Sequence, residues 1–310
     1  MRFSRAGIFV LITLTVLTGT SCSFWNQIKA RQNLVDGTQA YQNKNFEQAE
    51  SLFREAVQRD PDQLLGQLFL ARTLHSQYAA NRTNAQKAEE AIAEYKKIIP
   101  RYKDEVAKKK QALDQNPNDE KAIKAYNDTL TILNSSISAV GNLLENTQKT
   151  DEWRAWQNEI ANDASFPAST RAAALTLLAA KENTCANDIT SVEPVRKTVK
   201  VDGADTYQYV KPTDNAVYEQ LKGCIARGKQ LIDQALELQK DSDSIWSYKT
   251  SLLIQEQRLA EMDGRKEDEA RLKAEAEKAK EEFQRLAEIR RKQKEEEEAR
   301  KKAEEEANAK

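Results

Sequence analysis

His75 is the one histidine in 310 residues, and Cys22, Cys185 and Cys224 are the only cysteines. A catalytic histidine needs a partner to orient it and a nucleophile or substrate proton within hydrogen-bond reach. No spacing in this chain specifies such partners. One histidine and three cysteines are also too few for the usual nitrogen- and sulfur-rich metal clusters. Asp and Glu number 49, yet the D-x-[DN]-x-[DN]-G spacing of a calcium loop does not occur. Neither G-x-G-x-x-G nor G-x-x-x-x-G-K-[ST] is present. Lys and Arg number 48, so the net charge is −1 and no general basic field draws nucleic acid. These residues predict a protein that is not an enzyme. They predict no cofactor, no metal, no nucleic acid and no small-molecule substrate. His75 then reads as a contact residue or an ordinary helix-surface side chain.

Cys22 has a different context. Arg2 and Arg5 precede an almost wholly apolar stretch from Ala6 to Leu17, and Thr18-Gly19-Thr20-Ser21 leads into Cys22. A basic start, an apolar core of about 12 residues and a small-residue exit form a secretory signal peptide. Small residues directly before a cysteine resemble a bacterial lipobox, in which that cysteine is acylated and becomes the mature N-terminus. The resemblance implies a signal over 1–21, lipid on Cys22 and, with Ser23 next, an outer-membrane address facing the periplasm. The alternative is a plain signal cut nearby, with Cys22 incidental. Cys185 and Cys224 remain as an even pair in an oxidising compartment. A disulfide between them would close a loop of about 38 residues, worth roughly 3–4 kcal/mol in the chain-entropy model. Two buried thiols are the other reading.

Helices must position everything else. The chain is rich in Ala, Glu, Lys, Gln and Leu, which favour helix. After the leader, Gly37, Phe46, Ala49, Phe53, Ala56 and Pro61 fall at fixed spacings. Small residues let two helices approach, Phe53 fills the gap between them, and Asp60-Pro61 stops the second helix. This unit resembles a tetratricopeptide repeat. A second unit follows with Leu70, Ala71 and Leu74, then Ala91, Tyr95 and Ile98. SQYAANRTNAQK reads as an extended loop between its helices, and Pro100 as the start of a further helix at Arg101. Helices are expected over 104–112, 119–144, 151–162 and from Pro167 to about Glu182. A later unit joins Gly228, Ile232 and Ala235 to Trp246, Thr250 and Leu253.

The expected architecture is therefore all-α: a repeat-like helical-hairpin solenoid over 22–263, clearest at about 30–100 and 165–263. Between the cysteines, Val195–Val201 and Asp205–Val210 alternate around Asp202-Gly203, a good hairpin turn. This predicts a small β-hairpin insert over about 187–213 with the cysteines at its base. Over 264–310 there are 15 basic and 15 acidic residues. Leu272, Ala279, Phe283, Leu286 and Ile289 give its first half an apolar stripe, and the rest reads as a solvated helix. Trp153, Trp156 and Phe166 read as core, or as a docking patch.

In the register of the resemblance, Arg31, Leu34, Thr38, Tyr41, Leu65, Leu68, Arg72 and His75 line a concave face that takes a protein or peptide partner. Leu34 and Thr38 stand where the family's clamp for C-terminal carboxylates has Lys and Asn, which argues against that ligand. The resemblance implies a non-catalytic scaffold anchored in the envelope. Narrower alternatives are an assembly factor for outer-membrane proteins and a structural periplasmic tether.

Overall fold

The computed structural model describes residues 6–308, with side chains over 24–303 and at 306. The expected signal over 1–21 and the lipidation site at Cys22 lie outside the residues with described side chains. Among the described residues are ten helices and one two-stranded antiparallel sheet, so the chain is all-α in class with one small hairpin. Two compact units divide it, Met1–Trp153 and Arg154–Lys310.

The first unit is built from α1 (Ala6–Gln42), α2 (Phe46–Arg59), α3 (Leu64–Ala80), α4 (Ala85–Gln115) and α5 (Glu120–Asn146), each packed on the next. α1 and α2 are antiparallel, because Tyr41 meets Phe46 near the turn while Asn33 reaches Glu55 at the far end. Gln67–Arg101 and His75–Tyr95 show the same sense in α3 and α4. The starts are set by short polar side chains: Asn45 accepts from the Gln48 N–H, Asn84 from Lys87 and Asp119 from Lys121. The core holds Ala49, Phe53, Ala56, Leu68, Leu74, Ala91 and Ile98.

Two expectations fail here. The extended loop after Ala71 is only the turn 81–84, because the extra residues lengthen α3 and α4 instead. Asn81 organises that turn by accepting from the Thr83 N–H and hydroxyl. Pro100 does not begin a helix, and 104–112 is not a separate one. α4 runs straight through the proline. An interior proline costs about 3 kcal/mol, but Ile98, Ile99, Tyr102 and Val106 keep one continuous buried stripe across it. Burying four such side chains outweighs that cost at about 1.5–3 kcal/mol each.

The second unit takes α6 (Thr150–Asn162) from Arg154 onward, then α7 (Ala168–Thr190), the strands β1 (Arg196–Val201) and β2 (Ala204–Tyr209), α8 (Asn215–Leu238), α9 (Asp243–Met262) and α10 (Lys266–Asn308). The hairpin forms as its sequence predicts. Asp202 and Gly203 carry φ of 52° and 84°, the left-handed pair that a two-residue turn requires. α7 extends past the expected end at Glu182, because Ala186 and Ile189 join the apolar cluster with Tyr218 and Ile225, and Thr190 is buried. The insert therefore begins after Thr190. Cys185 and Cys224 are joined, with Cα atoms 6.1 Å apart, but they staple the bodies of α7 and α8 rather than the root of the hairpin. That root is held by Val195, whose carbonyl accepts from the Val210 N–H.

α10 packs on α9 through Leu272, Ala276 and Ala279 against Leu253 and Ala260. Leu286 is also buried, and Arg290 forms an ion pair with Asp243 at 3.0 Å. The side chains over 292–303 are exposed. Glu288 pairs with Lys292 and Glu297 with Lys301 at a spacing of four. Arg285 pairs with Glu282, and Arg271 with Asp268 and Glu275.

Candidate functional site

The first unit brings several of the expected groove residues together. Tyr41 on α1 and Ser76 on α3 share a hydrogen bond of 3.0 Å. The Tyr41 ring also meets Phe46 and Phe69, with centroids 5.5 and 6.3 Å away. Phe69 stacks on Phe53 at 5.4 Å, and the Arg72 guanidinium lies 5.8 Å from the Phe69 ring. His75 meets Tyr95 edge-on at 6.1 Å. Burial first, and then Arg82, hold the His75 pKa below its usual value, so the ring is neutral at pH 7. Burial pushes the Tyr95 hydroxyl up to about 12.

These contacts define a face of tyrosine, phenylalanine, arginine and neutral histidine. Leu34 and Thr38 are half-buried, and the Thr38 hydroxyl donates back to the Leu34 carbonyl at 2.7 Å. Arg31 is exposed, and Leu65 is 43% exposed. Leu68 is the correction: at 1% exposure it belongs to the core and offers nothing to a partner. Helical periodicity places Leu65 and Leu68 on neighbouring positions of one arc. Only the tertiary packing turns one outward and the other inward. Phe69 and Ser76, which the sequence reading missed, are the residues that tie Tyr41 and Arg72 into one surface. Phe69 sits next to Leu68 at helical spacing, and no signal in one sequence ranks it above its neighbours. Trp153, Trp156 and Phe166 are each buried.

The second unit holds a pocket of about 270 Å³ lined by Arg154, Asn158, Glu182, Arg227, Gln230 and Gln234 above Leu178 and Leu231. Glu182 is 4% exposed, and its two oxygens are divided between two arginines. Arg154 Nη1 donates to Oε1 at 2.9 Å, while Arg227 Nε and Nη2 donate to Oε2 at 3.0 and 2.8 Å. A carboxylate buried this far needs a compensating charge, and here it has two. Together they pin α6, α7 and α8. The pocket's ionisable groups are this one carboxylate and its two guanidiniums, so it offers donors to a polar group and no general base poised against a nucleophile. Gly223, Gly228 and Lys229 approach a phosphate-loop spacing, but Gln230 stands where Ser or Thr is needed, and all four lie inside α8 rather than on a loop.

The hairpin is fixed to α9 nearby. The Tyr209 N–H donates to Glu261 Oε1 at 3.0 Å, and Arg258 lies 4.7 Å over the Tyr209 ring. Arg258 also donates to the buried Thr190 hydroxyl, which donates to Gln255 Oε1 at 3.0 Å. Among the described residues no group of three or more His, Cys, Asp or Glu could hold a metal, and no helix is long and apolar enough to cross a membrane.

Fold and faces together define a class: a helical-hairpin protein of two compact units, one with an aromatic–arginine face and the other clamped by a disulfide and a buried carboxylate. No protein-family model matches the chain, and no curated protein matches it.

Proposed function

We propose that this chain is a tetratricopeptide-like scaffold, held to the bacterial envelope by its N-terminal end, that binds a protein or peptide partner on the Tyr41–Phe69–Arg72–His75 face. The observation that carries the reading is that α1 and α3 present these residues together, while Gly37, Ala49, Phe53 and Ala56 occupy the buried positions that the repeat resemblance assigns them. Arg72 and Tyr41 are both half-buried, and arginine and tyrosine are side chains enriched among the anchors of protein interfaces. The solenoid arrangement and the lipid on Cys22 belong to this proposal.

The test is photo-cross-linking in intact envelopes from Leu65, and as a control from Gln58 on α2. The reading expects one reproducible protein adduct from Leu65, lost when Arg72→Glu is introduced, and none from Gln58. Adducts of equal yield from both positions would defeat it.

A second reading, a structural tether, draws on α10, whose exposed end runs well past its last contact with α9 at Arg290. A cut after Arg291 spares the packing of Leu272 and Leu286. If partner capture survives that cut, the terminal rod is not what the partner recognises.

A further inference from the structure

The stretch of α1 that leads into the first helix pair bears an apolar patch that the described residues leave exposed. Phe24, Trp25 and Ile28 are 61%, 62% and 38% exposed. They sit within one helical turn, on the side away from Ala30, Gly37 and Ala40, which are buried. The pairings Tyr41–Phe46, Gly37–Phe53 and Asn33–Glu55 advance α2 about one residue for each residue of α1. Continued at that rate, the last residue of α2, Arg59, falls opposite about Lys29. Phe24, Trp25 and Ile28 therefore stand on a stub of α1 that α2 does not reach.

Charge says what lies beside this stub. The first acidic residue of the chain is Asp36, although Asp and Glu number 49 overall. Upstream lie the apolar run Ala6–Leu17 and, three residues before Trp25, Cys22. Three residues are about 4.5 Å of helix. Lys29 and Arg31 follow one turn later, both exposed. Apolar, then aromatic, then basic is the order met on leaving a bilayer through its headgroups, where tryptophan rings settle and cations meet lipid phosphates.

We propose that Phe24, Trp25 and Ile28 insert into the interface of a lipid bilayer, with Lys29 and Arg31 at the phosphates, so that protein side chains share the anchoring with the N-terminal attachment. This rests on the proposed membrane attachment, but not on whether an acylated Cys22 or a retained apolar leader supplies it. Each buried apolar group adds to the strength of such an attachment. The stub would add side-chain contacts to it and hold the first unit close to the membrane.

The experiment uses the full chain extracted from envelopes and reconstituted in phosphatidylethanolamine/phosphatidylglycerol vesicles, with and without acyl-brominated lipid. Bromine quenches only tryptophan in contact with the bilayer. Trp153 and Trp156 are buried, and the Trp246 indole donates to the Lys240 carbonyl, so these three give a steady background. The expected result is loss of up to a quarter of the emission, the share of one tryptophan in four, and abolition of that loss in Trp25→Phe while flotation and helicity persist. Wild-type protein that floats but is not quenched, or is quenched equally in Trp25→Phe, overturns the proposal and leaves the attachment standing. Protein that does not float overturns both. A photo-cross-linker at Ile28 that captures a second copy or another protein, rather than lipid, overturns it in favour of protein docking.

Discussion

A methyl group placed on Gly37 would lie 2.7 Å from Cε1 of the Phe53 ring. The ring is fully buried and stacked on Phe69, so it has no room to withdraw. Alanine is normally about 1 kcal/mol better than glycine inside a helix. Here the clash reverses the sign, and Gly37→Ala is expected to destabilise the first unit by about 1–3 kcal/mol. Gly228 repeats the relationship in the second unit, 2.6 Å from Leu252 Cδ2. Gly66 is the control, since its nearest neighbour stands at an ordinary 3.4 Å. Urea unfolding of the three alanine variants should lower the midpoint for positions 37 and 228 only. Equal effects at all three would show that helix propensity, not the close approach, decides.

The disulfide between Cys185 and Cys224 encloses the hairpin and ties α7 to α8. Replacing both cysteines by serine should cost about 2–5 kcal/mol. Thermal melts with and without reductant measure it. The wild-type melt should fall on reduction and the double variant should not respond. A thiol assay that finds both cysteines free in the oxidised protein would remove the bond from the account.

Glu182 is satisfied by two arginines, so their removal should be strongly non-additive. Arg154→Met or Arg227→Met alone leaves one guanidinium on the carboxylate and should cost about 1.5–3 kcal/mol. The double variant also leaves a buried charge uncompensated and should cost more than the two together. A double-mutant cycle reads the difference directly. Additive costs would mean that water already reaches Glu182.

Two carboxylates should push stability in opposite directions with pH. Burial raises Glu50, but hydrogen bonds from Lys87, Gln77 and Arg54 outweigh it and hold the group below its ordinary 4.5. Its contribution is complete above that value and is lost as pH falls through the lower folded one. Burial raises Glu261, and the Tyr209 N–H offsets this only in part. Its contribution is complete below 4.5 and is lost as pH rises through the folded value. Urea midpoints between about pH 3 and 7 should therefore flatten on the acid side for Glu50→Gln. Glu261→Gln should gain on wild type as pH rises. Curves parallel to wild type in both variants would contradict the assignments.

The hairpin, the helical class and the apolar half of α10 were legible because each depends on short-range pattern. Asp202-Gly203 can only turn one way, and a stripe such as Leu272, Ala279 and Leu286 can only be buried on one side. The helix boundaries around Ala80 and through Pro100 were not. There a local breaker competes with burial, and the winner depends on whether Ile98, Ile99, Tyr102 and Val106 find a partner surface in α3 and α5.

The candidate site divides in the same way. The register of the repeat resemblance marked Tyr41, Arg72 and His75 as members of an expected face, and the absence of acid before Asp36 was written in the chain from the start. Tertiary structure alone decided that Leu68 is core while Leu65 is exposed, and that Phe69 and Ser76 bind Tyr41 and Arg72 into one surface. It alone divided Glu182 between Arg154 and Arg227, 28 residues before it and 45 after it. The reason is physical. Periodicity fixes the angle at which a side chain leaves its own helix. What it meets there depends on which other helix arrives, and that is settled only when the core closes.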